Sequence, residues 1–107
     1  MTIIEFYMNE AREFAKRNST PEISHHIAHI IASVVMHRDG IIGEGGSFVQ
    51  AILKNNLYNA VGYGDTECIN NLKLIVLAHH NMTIEFHEIP ANIVEEMGIE
   101  SFKGLKI

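Results

Sequence analysis

Apolar residues recur at steps of three and four over most of residues 2–80, and this spacing most constrains what the chain can fold into. Such steps place the apolar side chains on one side of a helix. The pattern predicts four helices, over residues 2–18, 20–37, 47–62 and 65–80. The second segment is apolar around more than half of its circumference, so we expect this helix near the centre of the core.

Residues suited to helix ends lie at the borders of these segments. Thr20 can accept a backbone N–H bond, and Pro21 suits the first turn of the second helix. Residues 38–40, an arginine, an aspartate and a glycine, provide a cation near the carbonyls of that helix and a left-handed cap. Ser47 and Asp65 can cap the third and fourth helices. The short loops between these ends favour antiparallel neighbours.

The segment after the fourth helix has a different pattern. Residues 82–87 alternate apolar with polar, which is the period of a strand. The predicted fold class is therefore mainly α, a compact four-helix domain with a short C-terminal β-strand. A single strand is not stable alone, so it would pair with the C-terminal tail, with Ile41 and Ile42, or with a second copy of the chain. The last option predicts self-association, as a two-fold dimer or a higher oligomer.

Composition excludes several classes of protein. A chain of 107 residues has room for a single domain, and its net charge of −5 argues against direct binding of nucleic acid. The longest apolar runs are too short to cross a membrane, and the N-terminus lacks the basic segment of a secretory signal. Cys68 is the single cysteine, so no internal disulfide can form. These features predict a cytoplasmic protein.

The chain has seven histidines, two of which have the spacing of a metal site. His25 and His29 are four residues apart on the predicted second helix, so they project from the same side. A His-Glu-x-x-His motif would also supply a catalytic glutamate, which this segment lacks. A metal-dependent hydrolase that uses these histidines is one alternative, and helix-surface histidines without a metal are the simpler interpretation.

A glycine-rich turn precedes the predicted third helix. Gly45, Gly46 and Ser47 offer backbone N–H groups that could hold an anion. The turn does not match a dinucleotide-binding motif, because Phe48 stands at the third glycine position, and it lacks the lysine of a P-loop. Two alternatives stay open: a ligand site in an oligomer that sequesters a small nucleotide signal, and a plain turn between helices.

The side chains used for covalent or acid–base catalysis form no recognisable set. Ser47 has the position of a helix cap, and Cys68 falls on the apolar stripe of the fourth helix, which predicts a buried and inert thiol. Glu95 and Glu96 are adjacent and have no carboxylate to oppose them across a cleft. We therefore expect a protein that is not an enzyme and has no cofactor.

Asparagines crowd the polar side of the predicted third helix. Asn55, Asn56 and Asn59 lie there, although asparagine disfavours a helix interior. Tyr58 and Tyr63 lie close to them in the chain, and tyrosine is enriched in protein interfaces. These five residues are the predicted partner-binding surface.

The stretch from Gly45 to Gly62 reads GGSFVQAILKNNLYNAVG. Together with the helix before it and the residues that follow, it resembles a widespread family of short phage and prophage proteins over about residues 22–80. The core of that family reads roughly Gly-Gly-Phe, two variable, Val-Leu, variable, Asn-Asp-Leu, three variable, Gly-Arg-Ala-Asp. Asn56 stands where the family usually has aspartate, and Tyr63 and Gly64 replace its Arg-Ala. The resemblance implies a phage origin and no particular reaction.

These observations favour a binding protein over an enzyme. The principal hypothesis is a phage-encoded inhibitor of a host protein, such as a defence component, in the cytoplasm of an infected or lysogenic bacterial host. A small acidic protein can block a basic surface by charge complementarity. The nucleotide sponge, the metal-dependent hydrolase and a structural or regulatory phage component are the alternatives.

Overall fold

The computed structural model describes residues 1–18, 20, 22–41 and 45–105. This part of the chain is mainly helical, as the sequence predicts. None of its helices is both long and apolar enough to cross a membrane. The elements in order are α1 (Ile3–Arg17), α2 (His25–Arg38), α3 (Ser47–Leu53), α4 (Leu57–Tyr63), α5 (Thr66–Asn70), α6 (Leu72–Asn81), a 3₁₀ turn (Phe86–Glu88), α7 (Ala91–Met97) and a second 3₁₀ turn (Ile99–Phe102).

The first helix agrees with the prediction for residues 2–18. Thr2 and Glu5 cap its start reciprocally: Thr2 Oγ1 accepts the Glu5 N–H at 3.3 Å, and the Glu5 carboxylate accepts the Thr2 N–H at 3.3 Å. The apolar side of α1 is buried, and Tyr7 and Ala11 are fully enclosed. This side packs against α2.

The second helix begins at His25, later than the predicted start at residue 20. Ser24 is its cap, because Ser24 Oγ accepts the Ile27 N–H at 3.1 Å. Thr20, the predicted cap, donates its own N–H to the Ala15 carbonyl at 2.9 Å and so completes the end of α1. Pro21 lies outside the described residues. As expected from its apolar circumference, α2 is central, and it packs against α1, α3 and α6.

The predicted helix over residues 47–62 is interrupted between α3 and α4. Asn55 has a φ of 55°, in the left-handed region that asparagine tolerates better than most residues. Asn56 then caps α4, because its side-chain oxygen accepts the Asn59 N–H at 3.0 Å. Gly46, and not the predicted Ser47, is the N-cap of α3. The asparagines thus end one helix and start the next.

The predicted helix over residues 65–80 is also divided, into α5 and α6. Asp65 caps α5 as predicted, with its Oδ1 accepting the Cys68 N–H at 2.8 Å. Asn71 separates the two helices, and its side-chain amide donates to the Glu67 carbonyl at 2.9 Å. Such local side-chain bonds compete with a continuous helix. Two short helices therefore replace one long one.

The strand predicted for residues 82–87 does not form, so this prediction is wrong. Met82 and Ile84 are buried while the residues that follow each of them are exposed, so the alternation is real. The segment nevertheless has no strand partner, ends in the first 3₁₀ turn, and contains none of the ladder bonds of a sheet; the described residues form no strand at all. An extended segment that packs one of its sides onto helices also buries every second residue, so the alternating pattern does not require a sheet. The argument for a dimer from strand pairing therefore fails, and self-association stays a prediction.

A hydrogen-bond network at the end of α2 joins three helices. Tyr7 on α1 donates its hydroxyl proton to Asp39 Oδ2 at 2.9 Å. Arg38 donates from Nη2 to Asp39 Oδ1 at 2.8 Å and from Nη1 to the His79 carbonyl at 2.9 Å. The arginine expected near the carbonyls of its own helix therefore binds the end of α6. Gly40 follows with a φ of 78°, the left-handed cap that the sequence predicts.

The C-terminal residues pack back onto this core. Phe102 is fully buried, and its ring meets that of Phe86 edge-on with the centroids 5.9 Å apart. Gly104 lies so close to the end of α2 that a Cβ atom there would collide with the carbonyl oxygen of Asp39. The tail thereby packs against the backbone at the end of α2.

Candidate functional site

An apolar groove with a volume of about 360 Å³ lies between the α3–α4 pair and α6. Ligand and peptide sites are usually concave and mostly apolar, with a few polar groups at their edges. The residues that line the groove carry no carboxylate. In chain order, α3 provides residues 51–53, the α3–α4 turn provides Asn55 and Asn56, α4 provides Leu57 and Ala60, and α6 provides Leu72, Val76, His79 and His80.

The interruption of the predicted third helix creates this groove. The turn at Asn55 lets α4 fold back against α3 instead of extending it. Ala60 is the one buried residue of α4. The larger apolar residues of α4, which a continuous helix would have placed in the core, are consequently left outside.

Three exposed residues of α4 form what we call the α4 patch, defined as Leu57, Tyr58 and Val61. Their exposed fractions are 68%, 87% and 51%. At 3.6 residues per turn they lie within about 100° of one another around the helix axis. Exposed apolar side chains that form a contiguous group mark an interaction site far more often than single exposed apolar side chains do. The groove and the adjoining α4 patch are the candidate functional site.

The five residues predicted to bind a partner are divided between two surfaces. Asn55 and Asn56 line the groove, and Tyr58 belongs to the α4 patch. Asn59 and Tyr63 face the opposite side of α4, where Tyr63 is 62% exposed. The Asn56 side-chain oxygen is already engaged in capping α4.

Leu57, Val61 and Val76 are site residues that the sequence analysis missed. Each lies on an apolar stripe, and such a stripe ordinarily predicts core residues. Periodicity alone does not distinguish residues that pack inside from residues that a break leaves outside. The sequence signal for the break between α3 and α4 is the pair Asn55 and Asn56 within an otherwise helical pattern.

The glycine turn and part of the predicted amide surface meet in a second depression of about 390 Å³, which we call the glycine depression. Lys54 adds a cation to it, and Asn56 borders both this depression and the groove. Residues 42–44, the rest of the glycine-rich loop, lie outside the described residues. The lining includes Gly45, Gly46 and Ser47 from the turn and Lys54, Asn56, Asn59 and Tyr63 from α3, α4 and the turn between them.

The histidines predicted as metal ligands do not converge. His25 is exposed and His29 half-buried. Within the described ranges, one group of potential metal ligands brings three side chains together, and it contains His26 instead. His26 Nε2 lies 2.8 Å from Asp65 Oδ2 and 3.7 Å from Cys68 Sγ. The sequence gives no signal for this group, because about 40 residues separate His26 from its two neighbours.

Local contacts set the protonation of this group. The backbone N–H of Cys68 lowers the pKa of the exposed Asp65 carboxyl below its usual value. Burial, and then the Asp65 carboxylate, raises the pKa of Cys68 to about 11, so the free thiol is protonated at pH 7. Asp65 and Cys68 approach the same ring nitrogen of His26, whereas a Cys-His-Asp relay needs them on opposite nitrogens. The arrangement is not that of an activated nucleophile.

Two histidines close one end of the groove. The rings of His79 and His80 meet edge-on with their centroids 5.6 Å apart. Burial, and then the nearby Arg38 guanidinium, lowers the pKa of His79. The lowered pKa favours the uncharged form of the His79 ring beside the groove.

Comparison of the chain with protein-family models, with curated proteins and with solved structures gave no match. The resemblance of residues 22–80 to short phage proteins stays a prediction from the motif.

Proposed function

We propose that this chain is a non-enzymatic binding protein that receives an apolar helix of a second protein in the groove and against the α4 patch. The observation that carries the proposal is the exposure of Leu57, Tyr58 and Val61 beside an apolar groove. When a partner covers large apolar side chains that were exposed to water, the free energy of the system falls. Amphipathic helices bind such grooves with apolar residues at helical spacing.

The charge distribution supports a partner with a basic surface. The chain has a net charge of −5, and none of this negative charge comes from the residues that line the groove. Negative charge outside the groove speeds the encounter with a basic protein, and an apolar groove holds it without desolvating a carboxylate. The acidic surface steers the partner, and the groove retains it.

The resemblance to short phage proteins supports a host protein as this partner. In that setting the chain acts in the cytoplasm of an infected or lysogenic bacterial cell and inhibits a host protein, such as a defence component, by covering its basic surface. A second copy of the chain is the competing occupant of the groove.

Binding by substituted chains tests this proposal. The partner is isolated from host lysate on the wild-type chain, and its Kd is then measured for purified variants. We expect Leu57→Asp and Tyr58→Ala each to weaken binding by at least about 10-fold, because central apolar and aromatic anchors carry most of the affinity of an interface. Ile99→Asp is the matched control, since Ile99 is 60% exposed but lies outside the α4 patch.

Two outcomes would contradict the proposal. One is an equal loss of affinity in Leu57→Asp and Ile99→Asp, which would assign the effect to charge alone. The other is a wild-type dimer, observed by light scattering at micromolar concentration, that Leu57→Asp converts to monomer. That result would assign the groove to self-association.

The glycine depression supports a second candidate function, sequestration of a small nucleotide. The turn residues 45–47 border one concave surface together with Lys54 and Asn59. An anionic ligand would find a cation and amide donors there. The turn residues 45–47, predicted as ligand residues, border the same depression as Asn56 and Asn59 of the predicted amide surface. A nucleotide site built from both sets requires this proximity.

Thermal unfolding with cyclic and linear nucleotides tests the second candidate. A bound nucleotide should raise the Tm of the wild-type chain and of Lys73→Gln equally, and should raise the Tm of Lys54→Gln less. Lys73 is an exposed lysine on α6, away from the depression, and so serves as the control. Absence of any shift across the nucleotide set, or equal shifts in both variants, would reject this function.

A further inference from the structure

Three side chains of different chemistry place their donor atoms around one point beside the start of α2. His26 Nε2, an Asp65 carboxylate oxygen and Cys68 Sγ all lie within 4.8 Å of one another. Asp65 and Cys68 belong to α5 and its cap, and His26 belongs to the first turn of α2. The site is separate from the groove and from the glycine depression.

The spacing of these atoms suits a tetrahedral metal ion. Zn–N and Zn–O bonds of about 2.0 Å and a Zn–S bond of about 2.3 Å put N and O roughly 3.3 Å apart, and N and S roughly 3.5 Å apart. The observed separations are 2.8 Å for His26 Nε2 to Asp65 Oδ2 and 3.7 Å for His26 Nε2 to Cys68 Sγ. These two separations differ from the tetrahedral values by about 0.5 Å and about 0.2 Å, and the donor atoms of Asp65 and Cys68 lie within 4.8 Å of each other.

The identity of the donors selects the class of metal. Imidazole and thiolate favour zinc and its late first-row neighbours, whereas magnesium and calcium favour sites built wholly from oxygen. His26 and Asp65 are exposed and Cys68 is buried, so an ion would sit at the surface with its thiolate on the protein side. A fourth position would be open to water or to a ligand from another molecule.

We propose that His26, Asp65 and Cys68 form a binding site for Zn²⁺ that ties the first turn of α2 to α5. On binding, a Zn–S bond forms at Cys68, the S–H bond breaks, and the proton passes to solvent. His26 donates the lone pair of Nε2, and Asp65 donates one from Oδ2 while its Oδ1 keeps the bond to the Cys68 N–H. Capping and metal binding thus use different oxygens of the same carboxylate.

Titration with Zn²⁺ followed by calorimetry, and with Co²⁺ followed by absorption, tests the site. We expect one ion per chain, a thiolate-to-cobalt charge-transfer band, and a Tm that rises by roughly 5 to 15 °C at a Zn²⁺ concentration about 100 times Kd. Asp65→Asn should abolish most of this binding while preserving the fold, because asparagine caps helices as well as aspartate does. The loss should be at least about 100-fold, since even the loss of an outer-shell partner costs roughly 10- to 100-fold.

Two further variants locate the ligands. Cys68→Ala should remove the charge-transfer band, and His25→Gln should bind Zn²⁺ like the wild type, because His25 is on the same helix but outside the group. Absence of Zn²⁺ binding by the wild-type chain would overturn the proposal, because the contacts would then be ordinary hydrogen bonds. Equal binding by Asp65→Asn and the wild type would overturn it too, because the ion would then be held elsewhere.

Discussion

Asp39 is a carboxylate with 8% exposure, and within the described part of the chain it accepts side-chain hydrogen bonds from two residues. Tyr7 serves one of its oxygens and Arg38 the other. A buried charge is costly unless such partners compensate for its lost water. At the scale of single residues, the Tyr7 hydroxyl therefore helps to stabilise a buried charge.

We expect Tyr7→Phe to lower the free energy of unfolding by about 1–3 kcal/mol, because it leaves one oxygen of a buried carboxylate without its donor. Tyr58→Phe removes the same atom from a residue that is 87% exposed, and it should change stability by less than about 0.5 kcal/mol. Urea denaturation of the two variants beside the wild type measures both. Equal stabilities of the two variants would show that the Tyr7 hydroxyl contributes nothing.

The hydrogen bond between Tyr7 and Asp39 should also affect how stability changes at alkaline pH. Burial, and then Asp39, raises the pKa of Tyr7 far above its ordinary value of 10.0. Above about pH 10 the unfolded chain loses this proton and the folded chain keeps it, so the free energy of unfolding falls as pH rises. Tyr7→Phe should therefore lose stability less steeply between about pH 10 and 12. Cys68, whose pKa is raised to about 11, accounts for part of the remaining fall.

At the scale of elements, two asparagine-mediated breaks convert two predicted helices into four shorter ones. Asn55 adopts a left-handed backbone, and Asn71 binds the preceding helix through its side-chain amide. The first of these breaks positions α4 and so opens the groove. The proposed function therefore depends on where α3 ends.

The first break, at Asn55, is tested by whether the substitution Asn55→Ala raises or lowers the free energy of unfolding. Alanine at position 55 would stabilise a continuous helix, because alanine is the better helix former. In the observed turn, with a φ of 55°, Asn55→Ala should instead cost about 1–2 kcal/mol. Asn55→Gly should cost little, since glycine adopts positive φ freely. Thermal denaturation of the two variants distinguishes these cases, and a stabilised Asn55→Ala would contradict the break.

The sequence predicts some elements of this structure correctly and others incorrectly. The extent of α1, the cap at Asp65 and the left-handed Gly40 follow from local chemistry, so they are predicted correctly. The start of α2 and the two breaks depend on competition between possible caps, which only the packed structure decides. The alternation in residues 82–87 is real, but it specifies burial and not a strand partner. The contact of His26 with residues of α5 depends on tertiary packing, which periodicity does not report.

At the scale of the whole molecule, the described core is continuous while its exposed apolar residues are unevenly placed. The radius of gyration is 13.5 Å, close to the value of about 13 Å for a compact domain of this length. Four of the seven large apolar residues that are exposed in the described ranges lie on α4. Three of them form the α4 patch, while Tyr63 lies on the opposite side of the helix, and Val76 lines the groove from α6. The α4 patch and Val76 thus leave exposed apolar surface at the groove, as the proposed function requires.

Photo-crosslinking from position 58 tests this account most directly. A photoreactive phenylalanine is placed at Tyr58 in one chain and at Ile99 in another, and both are irradiated in the host cell. We expect an adduct with a single host protein from position 58, lost when Leu57→Asp is added, and no such adduct from position 99. Adducts of equal yield from both positions, or adducts from position 58 only with another copy of the chain, would contradict it.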